Sequence, residues 1–250
     1  MKNGSWQELK NIYNLYTIRR KQLKKSPVWL VSIICTVGYL GVMYSVSPAF
    51  ICSCYLLSAI YLCFLCEFIS MSLHEKENDI FEEVLLLHCE SDVPYYLSRE
   101  MLQLRMCLIF AVVLTVYPIL KSIQTPTFFV RSIEPIDVLC GGAVILFSGI
   151  CGIETADFFH SRLLSRKFGV CFLILVSLLS LCKEGLIETL AVFKFLNILM
   201  PPITDGLVLL GSGDNFDKMG ILLIVIHMMI FSIVITILKI KLLQIKKFRT

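Results

Sequence analysis

Few residues in this chain combine types and spacing that could do chemistry. Glu154, Asp157 and His160 recur at three-residue intervals, which puts them near one side of a helix. Carboxylate and imidazole groups so placed could hold a divalent metal, and an intramembrane metalloenzyme is the reading that follows. The plainer reading puts the same group at the watery end of an apolar helix, with Arg162 and Arg166 close enough to pair with it. His227 and Glu67 lie inside apolar runs, and ionisable groups there are costly enough to suggest a function. His227 reads as a hydrogen-bonded core histidine or a pathway residue. Glu67 reads as reached by water or paired with Arg105. Cys63 and Cys66 have metal or redox spacing but sit in an apolar run without a second pair, so packing is preferred. Gly211-Ser212-Gly213 lacks the lysine of a phosphate-binding loop, so no ATP site or other cofactor site is expected in this chain.

The elements that carry these residues are membrane elements. The chain of 250 residues is 57% apolar and 17% charged, against about 45–50% and about 25% in soluble domains. The 11 cysteines fall mostly within apolar runs and read as small apolar side chains, not as a disulfide framework. Six spans are expected, at about 28–46, 49–73, 101–120, 136–159, 168–181 and 219–238, in one transmembrane domain over 27–238. Residues 1–26 carry no leader pattern. Trp6, Leu9, Tyr13 and Tyr16 are interleaved with basic residues there, as in an amphipathic helix lying on the membrane surface among lipid headgroups. Residues 182–218 are expected to hold short re-entrant or interfacial helices, since charges interrupt the stretch and Pro201-Pro202 breaks a helix. A basic tail covers 239–250. Ser148, Gly152 and Ala156, four apart on the fourth span, form a ridge that lets a neighbouring helix approach closely. Assigning the two tails, the 74–100 loop with the nearby Arg105, and the 162–167 loop to the inside places 18 of the 23 Lys and Arg there, which predicts cytoplasmic N- and C-termini.

The loop over 74–100 departs from the basic habit of cytoplasmic loops. Glu75, Glu77, Asp79, Glu82, Glu83, Glu90, Asp92 and Glu100 stand against only Lys76 and Arg99. At helical spacing, Ile80, Phe81, Val84, Leu85 and Leu87 share one arc, while Asp79, Glu82 and Glu83 share the other. A two-faced helix of this kind docks into a partner's groove or packs on its own span ends; docking is preferred. Asp92 and Pro94 look like the opening of the following helix.

The layout and the segment Glu75-Lys76-Glu77-Asn78-Asp79-Ile80-Phe81-Glu82-Glu83-Val84-Leu85-Leu86 resemble a type-2 ABC transporter permease. Ser91-Asp92-Val93-Pro94 loosely matches the family's next helix start, and Leu199 to Pro202 its outer region. Asn78-Asp79 stands where the family has a Gly-Thr-like turn, and His88-Cys89 where it has Pro. The resemblance implies an all-α membrane protein whose loop is a coupling helix. Ile80, Phe81, Val84 and Leu85 would form the face docked on a separate nucleotide-binding ATPase subunit, with Glu82 and Glu83 at the polar rim. ATP and Mg would be held by that subunit. It also implies export, and a bacterial plasma-membrane location; the few charges in the spans suit an amphipathic or hydrophobic cargo (peptide, drug or lipid), and so small a permease is expected to enclose its path as a homodimer or as a heterodimer with a second permease. No nucleic-acid partner is expected. The competing reading with the same fold is an immunity or sensor subunit that does not transport.

Overall fold

In the computed structural model, residues 12–21, 23, 26–74, 92–159, 163–189, 197, 200–205 and 214–245 are described. Their order is helix α1 (12–21), α2 (Pro27–Met43), α3 (Ile51–His74), α4 (Asp92–Gln124), α5 (Pro135–Phe158), α6 (Arg166–Thr189) and α7 (Lys218–Ile245). The described residues hold no strand; one isolated bridge joins Ala49 to Phe129. Helices α3 to α7 are each long and apolar enough to cross a membrane, so the chain is an all-helical, multi-pass membrane protein. Helix α2 is apolar but only 17 residues long, about 25 Å of rise, a little under the hydrocarbon thickness.

Local sequence accounts for where the helices start. Ser26 accepts a hydrogen bond from the Val28 amide, and Pro27 occupies the first turn, where its missing donor costs nothing. At the start of α5 the Glu134 amide donates to the Asp137 side chain at 2.9 Å, with Pro135 in the first turn between them. Helix α3 borrows its cap from far away: Asp214 accepts from the amides of Ile51 and Cys52, at 2.8 Å each. That places a carboxylate against the positive end of the helix dipole.

The core is the pair α3 and α5. Of their most apolar stretches 56% and 50% are buried, against 22% for α6 and 28% for α7. Close approach explains the difference. A Cβ on Gly152 would overlap the carbonyl oxygen of Cys63, and one on Gly141 would overlap the Tyr55 ring. Ser148 Oγ donates to the Ala59 carbonyl at 2.8 Å. Without such contacts apolar helices have little reason to prefer one another over lipid. Helix α2 is tied to α3 by Thr36 with Tyr61 (3.0 Å), Tyr39 with Ser58 (3.2 Å) and the stacked rings of Tyr39 and Tyr61.

Several helices outrun their expected ends. Helix α4 begins at Asp92 and so takes in 92–100, the latter part of the polar loop. Helix α6 runs to Thr189, not 181. Lys183, which suggested an interruption, is buried inside it and paired with Asp205. Helix α7 continues to Ile245 through the start of the expected basic tail, because Lys239 is buried among carboxylates rather than solvated.

Candidate functional site

Among the described residues, the densest polar cluster lies at the end of the bundle where α3, α5 and α7 finish and α4 starts. Its centre is Asp157, which is wholly buried. Lys239 of α7 donates to Glu100 of α4 at 2.6 Å, and to Glu154 and Asp157 of α5 at 3.0 and 3.3 Å. Arg99 Nη2 reaches Asp157 Oδ2 at 3.3 Å. His74 Nε2 lies 2.9 Å from Asp157 Oδ1, and Arg99 Nη1 lies 3.3 Å from His74 Nδ1. Arginine only donates, so this geometry fits the tautomer with the proton on Nε2, given to Asp157. Gln103 donates to Ser70 (2.8 Å) and to Asp157 (2.7 Å), and Ser70 also donates to Asp157.

Each of these charges would be prohibitive alone in an apolar bundle. Together they satisfy one another, which makes the cluster cooperative: breaking one partner strands the others. The arrangement positions four helices and leaves little room for a metal, since Glu154 and Asp157 both direct carboxylate oxygens at Lys239. His160 lies outside the described residues. Arg162 and the side chain of Arg166, expected as partners of this acidic pair, lie outside the described residues; Lys239, Arg99 and His74 pair with it. Glu67 bonds to Ser177 of α6 at 2.8 Å and lies 3.9 Å from Cys63 Sγ. Arg105 instead donates to Tyr16 of α1 at 2.6 Å.

A second cluster lines a cleft of about 510 Å³ at the opposite half of the bundle, between α6 and α7. Lys183 pairs with Asp205, and His227 Nδ1 stands 3.7 Å from the same carboxylate. Glu184 and Glu188 are also on its wall. His227 is therefore at a cleft surface, with its side chain 38% exposed, and not in a closed core. At the same end, Arg131 forms a two-pronged pair with Asp137 (2.6 and 2.8 Å) and donates to the Asp214 carbonyl at 2.5 Å. Hydrogen bonding to Asp137 raises the pKa of Arg131 above its ordinary value.

Ser148, Gly152 and Ala156 are all buried along α5. Ile80, Phe81, Glu82, Glu83, Val84 and Leu85 lie outside the described residues. Sequence reasoning missed Lys239, Arg99 and Gln103 as members of one cluster. The available signal was a lysine ending an apolar run, with three unpaired acids in other helices.

Comparison with models of protein families, with curated proteins and with solved structures finds no match to this chain.

Proposed function

We propose that this chain is the membrane-spanning permease subunit of an ATP-driven ABC-type exporter in a plasma membrane. In this reading α2 is the first of six crossings and both ends face the cytoplasm. The segment 75–91 is the coupling element, and a separate subunit binds ATP and Mg. The cargo is amphipathic or hydrophobic, and a second permease, identical or related, completes the path.

One observation carries the reading. His74, the last residue of α3, and Arg99, in the second turn of α4, both hold Asp157 of α5, and Asp157 also takes Lys239 of α7. The two stems flanking 75–91 are thus locked to the bundle through one buried carboxylate. Force applied to the segment between them reaches four helices at once, where a loosely hung loop would absorb it. A motor can drive such a unit only if its ATP-bound and free forms prefer different arrangements of those stems. The two-faced, acidic character of residues 75–88 suits a docking role. The metalloenzyme alternative is less well supported, because Glu154 and Asp157 are engaged with Lys239.

Purification of the full chain from its native host tests the proposal. An ATPase subunit is expected to accompany it, and Phe81→Asp with Leu85→Asp is expected to abolish that association while leaving the chain in the membrane. Retention of the ATPase by the double variant removes the coupling role; recovery of the wild-type chain with no ATPase at all removes the transporter reading.

A further inference from the structure

We propose that the crevice between α1, α2 and α4 is a binding site for an anionic phospholipid. It encloses about 240 Å³, with Leu23, Trp29, Leu102 and Met106 on its apolar wall and Arg20 and Arg105 on its polar wall. Both arginines are exposed. Neither pairs with a carboxylate among the described residues, although Arg19, one position away, is buried and bonded to Tyr95 and Ser98. Arg105 is held in place by the Tyr16 hydroxyl, which accepts one of its five donors and leaves the others available.

Depth identifies the occupant. From Met106 to Leu120 α4 contains no charged residue. Arg105 and Lys121 bracket that stretch about 24 Å apart, close enough to the hydrocarbon thickness for both side chains to reach the headgroup level by snorkelling. Arg105 therefore stands where lipid phosphates stand. Arg20 comes from α1, and Trp29 between the two arms is the kind of ring that favours this level. Guanidinium groups bind phosphate through paired donors, while the wall of Leu23, Leu102 and Met106 accepts the upper part of an acyl chain. A soluble anion would use the arginines and ignore that wall; a zwitterionic lipid would carry its own cation to the arginines. An anionic phospholipid satisfies both walls. Its headgroup would bridge the surface helix to α4, anchoring α1 by charge as well as by apolar contact. This inference depends on the membrane setting and not on the exporter reading, and it survives if no ATPase is found.

The chain has two tryptophans, Trp6 and Trp29, so Trp6→Phe leaves Trp29 as a fluorescent reporter inside the crevice. The full chain carrying that change is placed in nanodiscs of phosphatidylcholine and phosphatidylglycerol in equal amounts, and bromine quencher is put on the acyl chains of one lipid or the other. At equal mole fraction, phosphatidylglycerol is expected to occupy the site with about a twenty-fold preference, near fivefold for each cation at an anionic surface. Arg20→Gln with Arg105→Gln should remove the preference, and Arg105→Lys should keep much of it. Where the double variant does not fold, Arg20→Gln alone should lower the preference several-fold. Equal quenching by the two lipids, or a preference that survives loss of the arginines, overturns the proposal. So does displacement of the brominated lipid by inorganic phosphate at matching concentration, which would mark a site for a free anion.

Discussion

At the residue scale the molecule is organised around Asp157. It accepts from Ser70, Gln103, His74, Arg99 and Lys239, which come from α3, α4 and α7. Removing an acceptor of this kind leaves buried cations without compensation, which costs about 3–5 kcal/mol. Asp157→Ala should therefore lower the unfolding free energy by that order, read by denaturant titration in detergent or by loss of folded protein from membranes. Glu154→Gln is expected to cost much less, since Lys239 retains Glu100 and Asp157. Equal effects from the two changes would mean that Lys239, not Asp157, is the hub. The acids of this cluster were legible in the sequence as costly groups near a helix end, but their partners were not. Helical periodicity says which residues share a face; it says nothing of which other helix meets that face. Lys239 is the clearest case. In sequence it heads a basic run, and only the packing of α7 against α4 and α5 shows it buried.

At the element scale, the spacing of Ser148, Gly152 and Ala156 is visible from sequence as a ridge of small residues, but the helix it faces is not. That α3 is the neighbour follows from Ser148 meeting Ala59 and from Gly152 lying against the Cys63 backbone. Backbone cannot move aside as a side chain can, so Gly152→Ala should destabilise by about 1–3 kcal/mol through overpacking. Gly38 in α2 has nothing within 4 Å of an added Cβ. Gly38→Ala should be neutral or stabilising by up to about 1 kcal/mol, the gain from helix propensity. Parallel unfolding titrations of the two variants decide the matter, and a similar loss from both would contradict the close α3–α5 contact. The cap on α3 makes the limit of sequence reading plainer. Asp214 is 163 positions from Ile51, and no local pattern announces it. Asp214→Ala should cost about 1–2 kcal/mol, the range for a lost helix cap, with early fraying of α3 seen as faster amide exchange at Ile51 and Cys52.

At the scale of the whole molecule the two polar clusters define opposite ends. Asp214, Arg131 and Asp137 join the starts of α3 and α5, whereas His74, Glu100, Asp157 and Lys239 join their far ends and the start of α4. Composition alone made the membrane character legible, because so apolar a chain of this length has too little interior of its own to hide its side chains. The helix ends were less legible, since buried charges such as Lys183 and Lys239 imitate the polar residues that close a span. Burial also changes the orientation argument. Lys239 and Arg99 are committed to carboxylates inside the fold, so they are weaker votes for the cytoplasmic side than a simple tally implies. The exposed Arg20, Lys21 and Lys241 remain as votes, and short segments beside a span are those that set orientation. The proposed exporter therefore makes a firm demand on topology: the His74–Lys239 end must face the cytoplasm, or no ATPase could reach residues 75–91. Green fluorescent protein fused after Thr250 is expected to fluoresce, since it matures inside the cell, and alkaline phosphatase inserted after Thr127 is expected to be active, since it matures outside. A dark C-terminal fusion with an inactive phosphatase would turn the molecule over. The acidic segment would then lie outside the cell, leaving the Asp157 cluster as a structural clasp and no longer as the root of a lever.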